Sequence, residues 1–243
     1  MLNAVYIELY KVFHKKNVYV FFGIILINAL LLTYLLFAQK ALDRGSFPLT
    51  LLRAMFTLLL PIFATILLGE IFSGEIRGGT LKILLTRPIT RTQLLLSKFI
   101  TLFLLISFLY TFTLAVGFGL GFFMPGTYLF KDVLNTIQIY YLSIIPMYAF
   151  TLFISIFALL IRKEGTLIAL SLSFMYVSVI VGLVVTKVSP YLITTYFNVT
   201  DFLVKNPTLF QKDFWIGWGV VFGYTVIPIL VGVWIFNRKD ISG

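Results

Sequence analysis

Six apolar runs, each about as long as a bilayer is thick, decide what this chain can fold into: Val18–Ala38, Leu51–Leu68, Phe99–Phe123, Ile139–Ile161, Thr166–Thr186 and Phe214–Phe236. A helix needs roughly 20 apolar residues to cross the hydrocarbon core. Lipid offers the backbone no hydrogen-bond partner, so each run must satisfy its own amides and carbonyls as a helix. The expected fold is an all-α integral membrane protein with six transmembrane helices. The composition agrees, with 60% hydrophobic and only 12% charged residues, against about 25% charged in soluble domains. Mean hydropathy is +1.03, and 26 phenylalanines suit helices that face acyl chains.

The net charge of +10 does not call for nucleic acid as a partner, because the basic residues gather at the ends of the apolar runs. Such placement follows from the positive-inside bias of membrane proteins. Six spans put both termini on one side. Twelve Lys and Arg residues fall in the segments of that side and six or seven in the others. The expectation is therefore a cell-membrane protein with N- and C-termini cytoplasmic. The first run follows Lys15 and Lys16 as a signal peptide would, but it has spanning length. Ala38-Gln39-Lys40 is also a poor cleavage site, so it reads as a retained helix. The chain has no cysteine, which removes disulfide and thiolate chemistry.

Two segments are apolar without spanning. Residues 1–17 carry Leu2, Val5, Tyr6, Leu9 and Phe13 near helical spacing, the pattern of an amphipathic helix lying among lipid headgroups. Residues 187–213 form an extracellular segment rich in aromatic and aliphatic side chains, expected to make short helices at the outer interface. Asn198-Val199-Thr200 within it has the form of a glycosylation acceptor. There is no internal repeat, and a single membrane domain, 1–243, accounts for the chain.

The strongly polar insertion lies between the second and third runs, at 69–98. Charged side chains and glycine-broken backbone must sit at a membrane surface, where a soluble partner can reach them. Gly78-Gly79 is expected to end the helix leaving the membrane. Thr80 can cap a short new helix that places Leu81, Leu84 and Leu85 on one face and Lys82 on the other. That helix stops by Arg87, since the residue before Pro88 is pushed out of the helical region. Thr90-x-x-Gln93 has the spacing of a capping box opening the next helix, which runs through Lys98 into the third span.

The run Gly74-Glu75, Gly79-Thr80-Leu81-Lys82, Leu85, Pro88-Ile89-Thr90-Arg91 and Lys98 resembles the signature of the ABC type-2 transporter permease family. It covers about a tenth of the chain and falls after the second of six spans, where that family places it. The resemblance implies a permease that pairs with a second protomer, as a homodimer or heterodimer, in membrane lipid. It also implies a partner ABC ATP-binding subunit that receives the cytoplasmic coupling helix between helices 2 and 3. The implied ATPase-coupling residues are Glu75, Gly79, Thr80, Leu81, Leu84, Leu85, Arg87, Pro88 and Arg91. Of these, Arg87 and Arg91 would meet acidic groups of the ATPase or lipid phosphates. The implied translocation path lies between protomers, and no substrate-binding residue carries over.

No Gly-Lys dipeptide occurs, so the chain has no P-loop; ATP hydrolysis would reside in the partner, and the chain would need no cofactor. A membrane enzyme is disfavoured because His14 is the one histidine, too few for a metal centre, and Glu70 and Glu75 lie on different helix faces. An ion-coupled secondary transporter would need ionisable residues at mid-membrane, and the spans carry almost none. Asn28 is expected to make an interhelical hydrogen bond, and Arg53 to sit at a span's outer end. Gly117-x-x-x-Gly121 and Gly219-x-x-x-Gly223 are expected to pack within one protomer, and Pro61, Pro146 and Pro228 to kink their helices. Uncharged spans and the aromatic outer segment suit an amphiphilic cargo, such as a peptide, an antibiotic or a lipid-like molecule.

Overall fold

The computed structural model describes residues 2–39, 44–57, 59–78, 90–161, 163–199 and 212–238. Among them the chain is helical without a strand: α1 Leu2–Phe13, α2 Lys16–Gln39, α3 Phe47–Thr57, α4 Leu59–Gly78, α5 Arg91–Gly121, α6 Phe130–Ala158, α7 Glu164–Val184 and α8 Lys212–Arg238. Two 3-10 turns, Ser189–Tyr191 and Ile193–Tyr196, precede α8. Helices α2, α5, α6, α7 and α8 are each long and apolar enough to cross a membrane. The protein is a multi-pass membrane protein.

The second span departs from expectation. In place of one helix over Leu51–Leu68, α3 and α4 form a pair bent by 54°. Pro61 explains the break. It lacks the N–H that would bond the carbonyl four residues back, at Thr57, and its ring displaces that carbonyl. Helix α3 ends at Thr57 and α4 restarts at Leu59, which leaves Pro61 in a first turn, where its missing donor matters little. Pro146 and Pro228 instead lie inside α6 and α8, which run through them.

Two helices begin earlier than the apolar runs. Helix α5 has 31 residues and is about 46 Å long, beyond the roughly 30 Å of hydrocarbon, so it tilts or projects. Helix α6 starts at Phe130 rather than Ile139, with Asp132 in its first turn where a negative charge meets the positive end of the helix dipole.

Alternation of direction places the start of α2, the end of α4, the start of α5, the start of α7 and the end of α8 together, at the end of the bundle where α1 lies. The core follows α4, α5 and α6, with Leu60, Leu68, Phe99, Tyr110, Tyr140 and Phe150 fully enclosed. Hydroxyls inside the bundle need partners, and Thr65, Thr101, Thr113 and Ser143 each donate to the carbonyl four residues back in their own helix. Asn28 does the same, to Ile24 at 3.0 Å, so its bond is within α2 and not between helices. Thr65 also meets Ser171 at 2.9 Å, which joins α4 to α7.

At the opposite end, Arg44 donates to the carbonyls of Phe122 and Met124 and lies over the rings of Phe122 and Tyr128. Burial raises the Tyr128 phenol above its usual value, the Arg44 charge pulling it the other way. Gly121 lies directly under the Tyr128 hydroxyl, which leaves no room for a Cβ, and Gly117 abuts Pro48 of α3. That glycine pair packs within the chain as expected. Gly219 and Gly223 have open space around them, so the second pair does not. Short helices are present at 189–196, with Ile193 and Tyr196 buried, while 200–211 lie outside the described residues.

Candidate coupling site

Helix α1 turns a different face to the bundle than its apolar pattern suggests. Ala4, Val5, Glu8 and Val12 are buried, Leu9 and Phe13 half-buried, and Tyr6 and Tyr10 exposed. Ala4, Glu8 and Val12 recur every fourth residue and so share one stripe. The acid in that stripe sets the rotation. A buried carboxylate is costly unless it is paired and hydrogen-bonded, and Glu8 finds Lys98 of α5.

Lys98 is 1% exposed and Glu8 3%. The Lys98 ammonium lies 3.2 Å from Glu8 Oε1 and donates to the carbonyl of Ile71 in α4 at 2.9 Å. The ring of Phe72 stands 5.8 Å from the same nitrogen, close enough for a cation–π attraction. One ammonium thus binds three helices, α1, α4 and α5. Around it, Lys15 pairs with Glu70 at 2.9 Å and Lys11 with Glu8 at 3.7 Å. Both outer lysines are about two-fifths exposed, so these pairs add little stability compared with the enclosed one. Helix α7 joins the cluster, since the stem of Glu164 packs over Gly69.

The position of this clasp matters. Lys98 lies about two turns after α5 begins, and Ile71 about two turns before α4 ends. The two helices that bracket 79–89 are therefore locked to each other and to α1 at their roots. Helix α4 is described as far as Gly78, and α5 opens with the expected capping box: the Thr90 hydroxyl accepts from the Gln93 amide and the Thr90 amide donates to Gln93 Oε1, both at 3.2 Å. Glu75 stands in the last turn of α4 and Arg91 is the first residue of α5. Gly79, Thr80, Leu81, Leu84, Leu85, Arg87 and Pro88 lie outside the described residues.

Sequence reasoning missed Glu8 and gave Lys98 no partner. The signal was present, since an acid on the stripe of Ala4 and Val12 needs a base opposite it. His14 is exposed, its ring centre 3.8 Å from that of Tyr10 at a tilt of 34° and its Nδ1–H donating to the Tyr10 carbonyl. Among the described residues no three His, Cys, Asp or Glu side chains converge. The cluster is arranged to fix helices relative to one another.

Comparison with known proteins bears on the same region. The model of the ABC-2 family transporter protein matches residues 4–179, which take in α1, the bent span, the insertion and Lys98. An uncharacterized protein YhcI of Bacillus subtilis (strain 168) is 41% identical over 75 residues, 30% of this chain and 24% of its own. A probable ABC transporter permease protein NosY of Stutzerimonas stutzeri is 37% identical over 84 residues, 34% of this chain and 29% of its own. These matches span less than a third of either relative. With the family model covering well over half of its length, the chain belongs to the ABC-2 family of transporter proteins, the membrane subunits of ABC transporters.

Proposed function

We propose that this chain is the non-catalytic permease subunit of an ABC exporter. It works as a homodimer or heterodimer in the cell membrane with both termini cytoplasmic, and moves an amphiphilic cargo while a separate ABC subunit hydrolyses ATP. The segment from Glu75 to Arg91 is the coupling element, and Leu81, Leu84 and Leu85 form the face that enters the ATPase. The observation that carries this reading is the Lys98 clasp. Because α4 and α5 are joined at their roots, a displacement of the segment between them moves α1, α4 and α5 as one body. A loose loop between independent helices would absorb the same displacement. Helix α1, lying with Tyr6 and Tyr10 among headgroups, supports that body at the membrane surface.

The test is co-purification with the ATP-binding subunit. Leu84→Asp puts an unpaired charge into a closed interface, an expected cost of several kcal/mol. Recovery of the ATPase should fall sharply with membrane insertion unchanged, and Lys82→Ala on the other face should leave recovery near normal. Loss of the ATPase with Lys82→Ala and retention with Leu84→Asp would overturn the docking model.

A further inference from the structure

A cleft of about 490 Å³ opens at the end of the bundle away from α1, where α3 and α6 begin. Gly126, at φ 101°, turns the chain from the end of α5 toward α6, a conformation that other residues adopt only under strain. Thr127 follows, and the first two turns of α6 bring Asp132, Asn135 and Thr136 into the wall of the cleft. Gly45 closes the other side, near enough that a Cβ on it would stand 3.5 Å from Asp132 Oδ2. Leu49 and Leu129 supply apolar lining.

Four polar side chains in this wall are unengaged. The carboxylate of Asp132, the amide of Asn135 and the hydroxyls of Thr127 and Thr136 make no hydrogen bond or ion pair with any described residue. Thr136 is the most constrained of them. It is 1% exposed, yet its hydroxyl does not donate to the carbonyl four residues back, as those of Thr65, Thr101, Thr113 and Ser143 do. A buried hydroxyl without a partner is costly, and this residue lines the cleft. The helix dipole accounts for an acid in the first turn of α6. It does not account for an enclosed hydroxyl and an amide left open beside that acid. Arg44 does not answer the charge, since the carbonyls of Phe122 and Met124 hold it, and Lys131 does not line the cleft.

The charge in the cleft is negative, and Asn135 Oδ1 and the threonine hydroxyl oxygens can accept hydrogen bonds beside it. An ammonium has three N–H groups to give and nothing to accept with, so it matches a carboxylate flanked by neutral acceptors. A calcium ion takes six to eight oxygen ligands, and among the described residues lining the cleft Asp132 is the one carboxylate. We propose that this cleft binds a primary ammonium carried on an apolar stem. Asp132 is its counter-ion, Asn135 and Thr136 accept its remaining hydrogens, and Leu49 and Leu129 meet the stem. The assignment gives the amphiphilic cargo of the permease proposed above a cationic end and rests on that reading for its role in transport; the binding itself requires no ATPase.

The test is native mass spectrometry of the purified full-length chain in neutral detergent near neutral pH, where an alkyl amine is charged as lysine is. The chain is titrated with octylamine, with octanol and with calcium chloride. Saturable binding of octylamine is expected, with octanol about 10-fold weaker or more, the usual scale of a hydrogen bond to a charged group. Asp132→Asn should weaken octylamine binding by about the same factor. That side chain is exposed and unbonded, so the fold should tolerate the change. Thr136→Val removes the enclosed hydroxyl while keeping the charge, should weaken binding about 5-fold, and decides the matter if Asp132→Asn does not fold. Lys131→Ala, outside the cleft, should leave binding at least as tight. Equal binding of octylamine and octanol, or unchanged octylamine binding in the folded Asp132 and Thr136 variants, overturns the proposal. Calcium that displaces octylamine would assign the cleft to a metal ion and overturn it equally. Normal octylamine binding by a chain that recovers no ATPase would contradict the permease reading alone.

Discussion

Replacing Lys98 with Met would leave Glu8 buried at 3% exposure without its enclosed base. Removing one partner of a buried pair costs about 3–5 kcal/mol, and Lys11, two-fifths exposed and 3.7 Å from Glu8, offsets only part of it. Lys98→Met should therefore lower the unfolding midpoint in detergent strongly. Glu8→Gln added to it should recover much of the loss, since the amide carries no charge. A double-mutant cycle isolates the coupling between the two sites. If Lys98→Met is as stable as the unmodified protein, the clasp holds nothing. The charge of Lys98 could be read as the opening of a helix from its place in the sequence, but its burial could not. Burial depends on which residue another helix brings opposite, and Glu8 is 90 residues away. Asn28 teaches a related lesson: a polar side chain in a long apolar helix can satisfy itself on its own carbonyls, as it does at Ile24.

The elements were most legible where local chemistry sets them. Thr90 and Gln93 fix the start of α5 through two reciprocal bonds, both visible in the spacing of the residues. Thr90→Ala removes one of these and should cost about 1 kcal/mol. Its signature is faster hydrogen exchange at the first amides of α5 with exchange deeper in the helix unchanged; equal rates at Thr92 to Leu94 would show that the cap is idle. Hydropathy located the spans but not their ends, because the first turns of α5 and α6 are polar and still helical. Pro61 signalled a kink. That the kink would separate α3 from α4 by 54° depends on packing against the rest of the bundle, which no short window of sequence contains.

At the scale of the molecule, the two ends of the bundle differ in what they can do. The end where α1 lies is bound by the buried Lys98 and bracketed by the two helices that lead into 79–89. The opposite end carries the Arg44 corner and the Asp132 cleft. That division suits a machine driven from one side and loaded or emptied at the other. Most of it follows from six apolar runs and one polar insertion, whereas the cleft emerged only when the starts of α3 and α6 came together. The central claim is that an ATP-binding subunit docks on the segment between α4 and α5. It is tested most directly by placing a photo-crosslinking amino acid at Leu84 and, in a second chain, at the exposed Thr195 of the opposite end. With the ATPase present, illumination should join it to the chain from position 84 and not from 195. Capture from 195, or none from 84 while the two proteins still co-purify, would contradict the account.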